Sequence, residues 1–106
     1  MLEPEILKRL TKLVVDVASP TRVYLFGSQA SGQEKDDSDL DVFVVVPDDV
    51  ADPRALSSAI RIAISEVVSM PCDVLVEREA DFLARSELPT IERTILETGV
   101  VVYEKL

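Results

Sequence analysis

The chain has 106 residues, 47% of them hydrophobic, and carries 20 acidic against 11 basic side chains for a net charge of −9. That length builds one domain with a buried core and leaves no room for a second, and no apolar run approaches the ~20 residues that span a bilayer. The absence of histidine excludes Ser-His-Asp and Cys-His nucleophiles and histidine zinc sites, while so acidic a surface repels phosphate backbones, which argues against direct nucleic-acid binding and for a basic protein partner.

Residues 2–17 read as an amphipathic helix, because Leu2, Ile6, Leu7, Leu10, Leu13, Val14 and Val17 recur at helical spacing. Pro4 suits its first turn. Ser19-Pro20 ends it, since the residue before proline disfavours the α region. Lys8, Arg9 and Lys12 make a small basic patch on its solvated face. Residues 22–26 form a first strand. A short helix or turn carries Gln29, Ala30 and Ser31, and Gly32 closes it ahead of a polar loop over 33–37. Residues 38–46 form a second strand, with Asp39, Asp41, Phe43 and Val45 on one face and Leu40, Val42 and Val44 on the other. A strand apolar on both faces belongs in the middle of a sheet. Asp52-Pro53 is a cap followed by a first-turn proline. From there Ala55, Leu56, Ala59, Ile60, Ala63, Ile64, Val67 and Val68 form a helical stripe to about Ser69, and Met70-Pro71 breaks it.

Residues 72–77 form a third strand and 81–85 a short helix. Pro89 begins another helix, with Ile91, Ile95 and Leu96 inward, that ends at Gly99 as a C′ glycine. Residues 100–103 form a last strand at a sheet edge. The expected architecture is a small α/β domain over residues 1–106. It has a mixed sheet of about four strands, helices packed mainly on one face, and the aspartates on the open side. Cys72, the lone cysteine, forbids an internal disulfide and fits a reducing compartment. With no basic-then-apolar leader pattern, the cytoplasm is the expected location and no membrane contact is expected.

Between the first two strands stands Gly27-Ser28, then ten residues, then Asp39-Leu40-Asp41. Gly27 lets backbone approach a ligand closely because it has no Cβ. Ser28 is a good helix N-cap, and a helix N-terminus offers free N–H groups to phosphate. Asp39 and Asp41 share a strand face with Cα atoms roughly 6–7 Å apart. That spacing suits carboxylates sharing hard cations, and two-metal sites hold their ions about 3.5–4 Å apart. A phosphate cradle beside metal carboxylates implies a nucleotide–magnesium site. Asp37, Asp39 and Asp41 also alternate as at the start of an EF-hand loop. The sixth position is Val42 rather than glycine, however, and a strand follows where that loop would continue.

The spaced pattern resembles the polymerase-beta-type nucleotidyltransferase superfamily. In its Gly27-Ser28-x-Ala30 and Ser38-Asp39-x-Asp41 details it is similar to the MNT group, minimal nucleotidyltransferases that are often antitoxin partners of HEPN ribonucleases. The resemblance covers nearly the whole chain and implies a palm-like sheet. It implies that Gly27, Ser28 and Ser38 serve the nucleotide phosphates and that Asp39 and Asp41 hold two Mg2+ ions. Asp73, on a neighbouring strand, would be the third carboxylate, binding the catalytic metal and helping to deprotonate the attacking hydroxyl; Glu77 and Glu79 are lesser candidates. ATP would be the donor, and a tyrosine of a HEPN toxin the acceptor that AMP silences. One departure stands out: where many relatives carry arginine this chain has Ser31, and its loop offers only Lys35. The alternative is a non-catalytic antitoxin that neutralises a HEPN ribonuclease by covering it. A nucleotidyltransferase of the antibiotic-modifying kind would carry an added helical domain, for which this chain has no room.

Overall fold

The computed structural model describes residues 3–27 and 39–106. Its elements run α1 (Pro4–Ala18), β1 (Arg22–Phe26), β2 (Leu40–Val46), α2 (Pro53–Ser65), β3 (Cys72–Arg78), α3 (Glu79–Ser86), α4 (Ile91–Thr98) and β4 (Val100–Glu104). The strands form one mixed sheet in the order β3-β2-β1-β4. β1 is antiparallel to both β2 and β4, whereas β2 and β3 are parallel. A parallel pair cannot be joined by a tight turn, and α2 supplies the crossover.

The two faces of β2 separate into two cores, as the alternation in 38–46 predicts. Leu40, Val42, Val44 and Val46 join Val23, Leu25 and Val74 in a layer covered by Leu10 and Val14 of α1 and Ile60 and Ile64 of α2. Each of those aliphatic side chains contributes roughly 1.5–3 kcal/mol by leaving water. On the other face, Phe43 and Val45 join Tyr24 and meet Phe82 of α3 and Ile95 of α4. The Phe82 ring is tilted against both Tyr24 and Phe43, with centroids 5.8 and 5.3 Å apart. The 15- and 13-residue helices therefore cover one face, and the two eight-residue helices cover only part of the other. Asp41, Asp73 and Leu75 are left at its open end. Among the described residues, no helix is long and apolar enough to cross a membrane.

Several boundaries differ from the sequence expectation, each for a local reason. Ser19 ends α1 in the left-handed conformation (φ 45, ψ 55), with its N–H bonded to Val15 O, so the residue before Pro20 turns the chain through a tight cap. α2 stops at Ser65, short of 69; the N–H groups of Val67 and Val68 both reach Ile64 O in a closing turn that keeps Val68 buried. α3 begins at Glu79 rather than 81, helped by Asp48 Oδ1, which accepts from Ala80 N at 2.9 Å. Pro89 lies before α4, and Thr90 is the cap, its hydroxyl accepting from Arg93 N at 3.3 Å. Gly99 is not a left-handed C′ glycine. It is extended (φ −69, ψ 156), and its N–H donates to Ile95 O. A Cβ there would sit 2.6 Å from that same oxygen, so close packing is what requires glycine.

Candidate active site

Gly27 follows β1 directly, and the register sets Phe26 opposite Asp41. The end of β1 thus delivers its glycine to the flank of the Asp41 carboxylate. Gly27 has φ +75, a left-handed backbone that favours glycine. A Cβ built on it would overlap Asp41 Oδ2 and lie 3.3 Å from Asp41 Cγ. The glycine that the sequence assigns to ligand approach also makes room for a carboxylate.

On the other side of Asp41 lies Asp73, its register partner on β3. In-register residues on neighbouring parallel strands point to the same face, so the two carboxylates are lateral neighbours. Asp39 stands one residue ahead of β2 and is exposed, as is Asp73. Burial first, then the charge of Asp73, then that of Asp39, push the Asp41 carboxyl above the usual carboxylate range. The Asp41 carboxylate, with Asp73 beside it and the left-handed backbone of Gly27 against it, offers hard oxygen donors of the kind that suits Mg2+. Among the described residues, no three acidic or thiol groups are gathered closely enough to hold an ion by themselves. The candidate for holding a cation is the Asp41–Asp73 pair, adjacent in the sheet register, with Asp39 one residue ahead of β2.

Ser28 and Ser38 lie outside the described residues, as do Ser31 and Lys35. Glu77 and Glu79 do not join the aspartates: Glu77 lies two strand repeats beyond Asp73, and Glu79 opens α3. Cys72 points to the other face, against the first core. Burial, then the charge of Asp73, push its thiol up to about 11, so it is not a nucleophile at neutral pH. Leu75 is an addition that sequence reasoning missed; it is 41% exposed on the face of Asp73. Alternation along β3 places it there, but nothing local distinguishes it from a core leucine. A groove of about 610 Å³ runs between α1 and β4, lined by Leu7, Thr11, Val15, Val100, Val102 and Tyr103. It carries no carboxylate and belongs to the covered side of the sheet.

No curated protein matches the sequence at a significant level. Among solved structures, the chain is similar to one from a toxin–antitoxin complex with AMP-PNP (TM-score 0.69, 19% identity, covering 93% of this chain and 73% of that one). It is also similar to a chain of the MntA-HepT toxin–antitoxin complex (TM-score 0.63, 17% identity, 97% and 74% covered). A third similar chain comes from tri-AMPylated Shewanella oneidensis HEPN toxin in complex with MNT antitoxin (TM-score 0.64, 16% identity, 98% and 74% covered). At these identities the likeness is one of fold. A nucleotidyltransferase domain model matches residues 4–102. Because that match runs from the first residue of α1 into β4, the chain belongs to the nucleotidyltransferase domain family.

Proposed function

We propose that this chain is a single-domain antitoxin that transfers AMP from ATP to a tyrosine hydroxyl of a HEPN-type toxin with the help of divalent metal. The observation that carries the reading is the side-by-side placement of Asp41 and Asp73 at the open end of the sheet, with Gly27 against Asp41. Two likenesses support it: one neighbouring complex holds AMP-PNP, and another contains an AMPylated HEPN toxin beside its MNT antitoxin.

Asp39, Asp41 and Asp73 would hold Mg2+, with two ions as the expected number. Magnesium bound there supplies neutralisation of the triphosphate charge and a lowered pKa for the acceptor hydroxyl. The backbone at Gly27, with the hydroxyls of Ser28 and Ser38, receives the phosphates. Asp41, wedged between Gly27 and Asp73, is the best-fixed of the three acids. Asp73 is exposed at the open side, from which a partner's hydroxyl must enter, and it takes up the proton as that oxygen bonds to the α-phosphorus. The bond from the α-phosphorus to the bridging oxygen breaks, and pyrophosphate leaves. Positioning and charge neutralisation account for the acceleration. The acceptor comes from the partner.

Intact-mass measurement of a co-expressed HEPN-type partner tests the reading. The expected result is a gain of one or more AMP units, abolished by Asp41→Asn. Asp73→Asn is expected to slow transfer more than it weakens ATP binding. A partner neutralised with no added mass, equally well by both variants, would establish the covering antitoxin instead.

A further inference from the structure

Glu77 lies beside Val45 in the sheet register, on the face of the second core. Glu92 of α4 is turned inward until only 4% of it is exposed, and its side chain shares a hydrogen bond with that of Glu77. Oε1 of Glu77 is buried and has no hydrogen-bond partner among the described residues. Of the surrounding charges, Arg85 and Asp81 of α3 both act on Glu77, Arg85 favouring its anion and Asp81 opposing it, while the other nearby cations are engaged elsewhere. On β3, Arg78 turns away to the carbonyls of Val50 and Ala51 and lies 3.9 Å from Asp81 of α3. On α4, Arg93 donates to the carbonyls of Ser86 and Glu87. On β1, Arg22 is taken by Tyr24 OH and Glu104. At this point of the register β2 presents Val45, which is apolar. Arg85 of α3 is the cation that reaches the pair, its Nη1 3.9 Å from Glu92 Oε2.

Two carboxylates so placed cannot both ionise at ordinary cost. The anion belongs on Glu92, in the first turn of α4, where the helix N-terminus and Arg85 both favour negative charge. The proton then belongs on Glu77. A neutral acid is also the form that leaves its second oxygen bare at least cost.

We propose that Glu77 and Glu92 share one proton as a clamp fastening the α3–α4 pair onto β3, and that losing this proton loosens the pair from the strand that carries Asp73. Burial, then the hydrogen bond and charge of Glu92, push the Glu77 carboxyl up to about 7. The same hydrogen bond, seen from the other side, holds Glu92 below the ordinary carboxylate range. With Glu77 raised above its ordinary 4.5, the stability it contributes is complete below that value and is lost as pH climbs toward about 7.

Glu77→Gln copies the shape of the protonated acid, keeps a donor for Glu92, and cannot release a proton. Melting temperature is measured against pH for the wild type and for this variant. The wild type is expected to fall relative to Glu77→Gln from about pH 5 to pH 7 and then to run parallel. Amide exchange in α4, corrected for intrinsic rates, is expected to quicken over that range in the wild type alone. Parallel melting profiles overturn the clamp. Should Glu77→Gln fail to fold, NMR titration of the wild-type Glu77 side-chain carbon decides. A midpoint near neutrality supports the shared proton, and one in the ordinary carboxylate range overturns it.

Discussion

Replacing Gly27 with alanine tests the packing at the centre of the candidate site. The added methyl meets two costs. Holding a non-glycine residue at φ +75 costs roughly 1–2 kcal/mol in backbone strain. The new Cβ also overlaps Asp41 Oδ2, so the carboxylate must move toward Asp73, a like charge. Each 1 kcal/mol lowers the melting temperature of a domain this size by about 4–8 °C. The two costs separate in an Asp41→Ala background. There the overlapping oxygen and Cγ are gone, and the remaining Cβ, 3.7 Å away, is an ordinary contact. Gly27→Ala is therefore expected to cost more with Asp41 present than with alanine there, by an amount on the order of 1 kcal/mol in a double-mutant cycle. Chemical denaturation of the four proteins gives the answer. Equal costs in both backgrounds would refute the contact, and no cost in either would refute the left-handed backbone as well.

Asp41→Asn is expected to raise the melting temperature of the metal-free protein at neutral pH. The wild-type carboxyl is held above its usual range by burial, Asp73 and Asp39. Its ionised form therefore subtracts stability as pH rises past its ordinary value, and asparagine removes that penalty; a lower melting temperature in calorimetry would contradict the repulsion. Phe82→Ala is expected to cost about 3–5 kcal/mol in urea denaturation, because Phe82 is 1% exposed and its ring contacts both Tyr24 and Phe43. A loss under 1 kcal/mol would mean that α3 is not fixed on the sheet.

The parts of the fold legible in the sequence were those encoded by near neighbours. Alternation alone sorts Phe43 and Val45 from Val42 and Val44, and the two cores follow that division. Asp52-Pro53 reads as a helix start from two residues, and Asp52 Oδ1 does accept from Ala55 N. What stayed hidden depends on distant pieces of chain. The pairing of Asp41 with Asp73 is a register between parallel strands separated by a whole crossover, and no local pattern states it. The start of α3 is shifted by Asp48, which lies at the far end of β2. Glu92 looks solvated by composition, yet its position on the buried face of α4 sets it under the sheet-facing core. Gly99 had the right identity for a helix end, but the demand on it came from the Ile95 carbonyl rather than from a left-handed turn.

The two borders of the sheet are finished differently. Leu40 N donates to Pro71 O, so the carbonyls of alternate residues on β3 face β2 and that of Val74 faces outward. There Ser57 Oγ of α2 donates to it at 2.7 Å. A strand from another molecule would have to evict that hydroxyl before it could pair along β3. β4 stands at the opposite border, paired with β1 and with Val101 49% exposed. Self-association by strand addition, during expression or after partial unfolding, therefore has its easier entry along β4. A charged residue placed at Val101 is the economical way to keep preparations of this protein from aggregating.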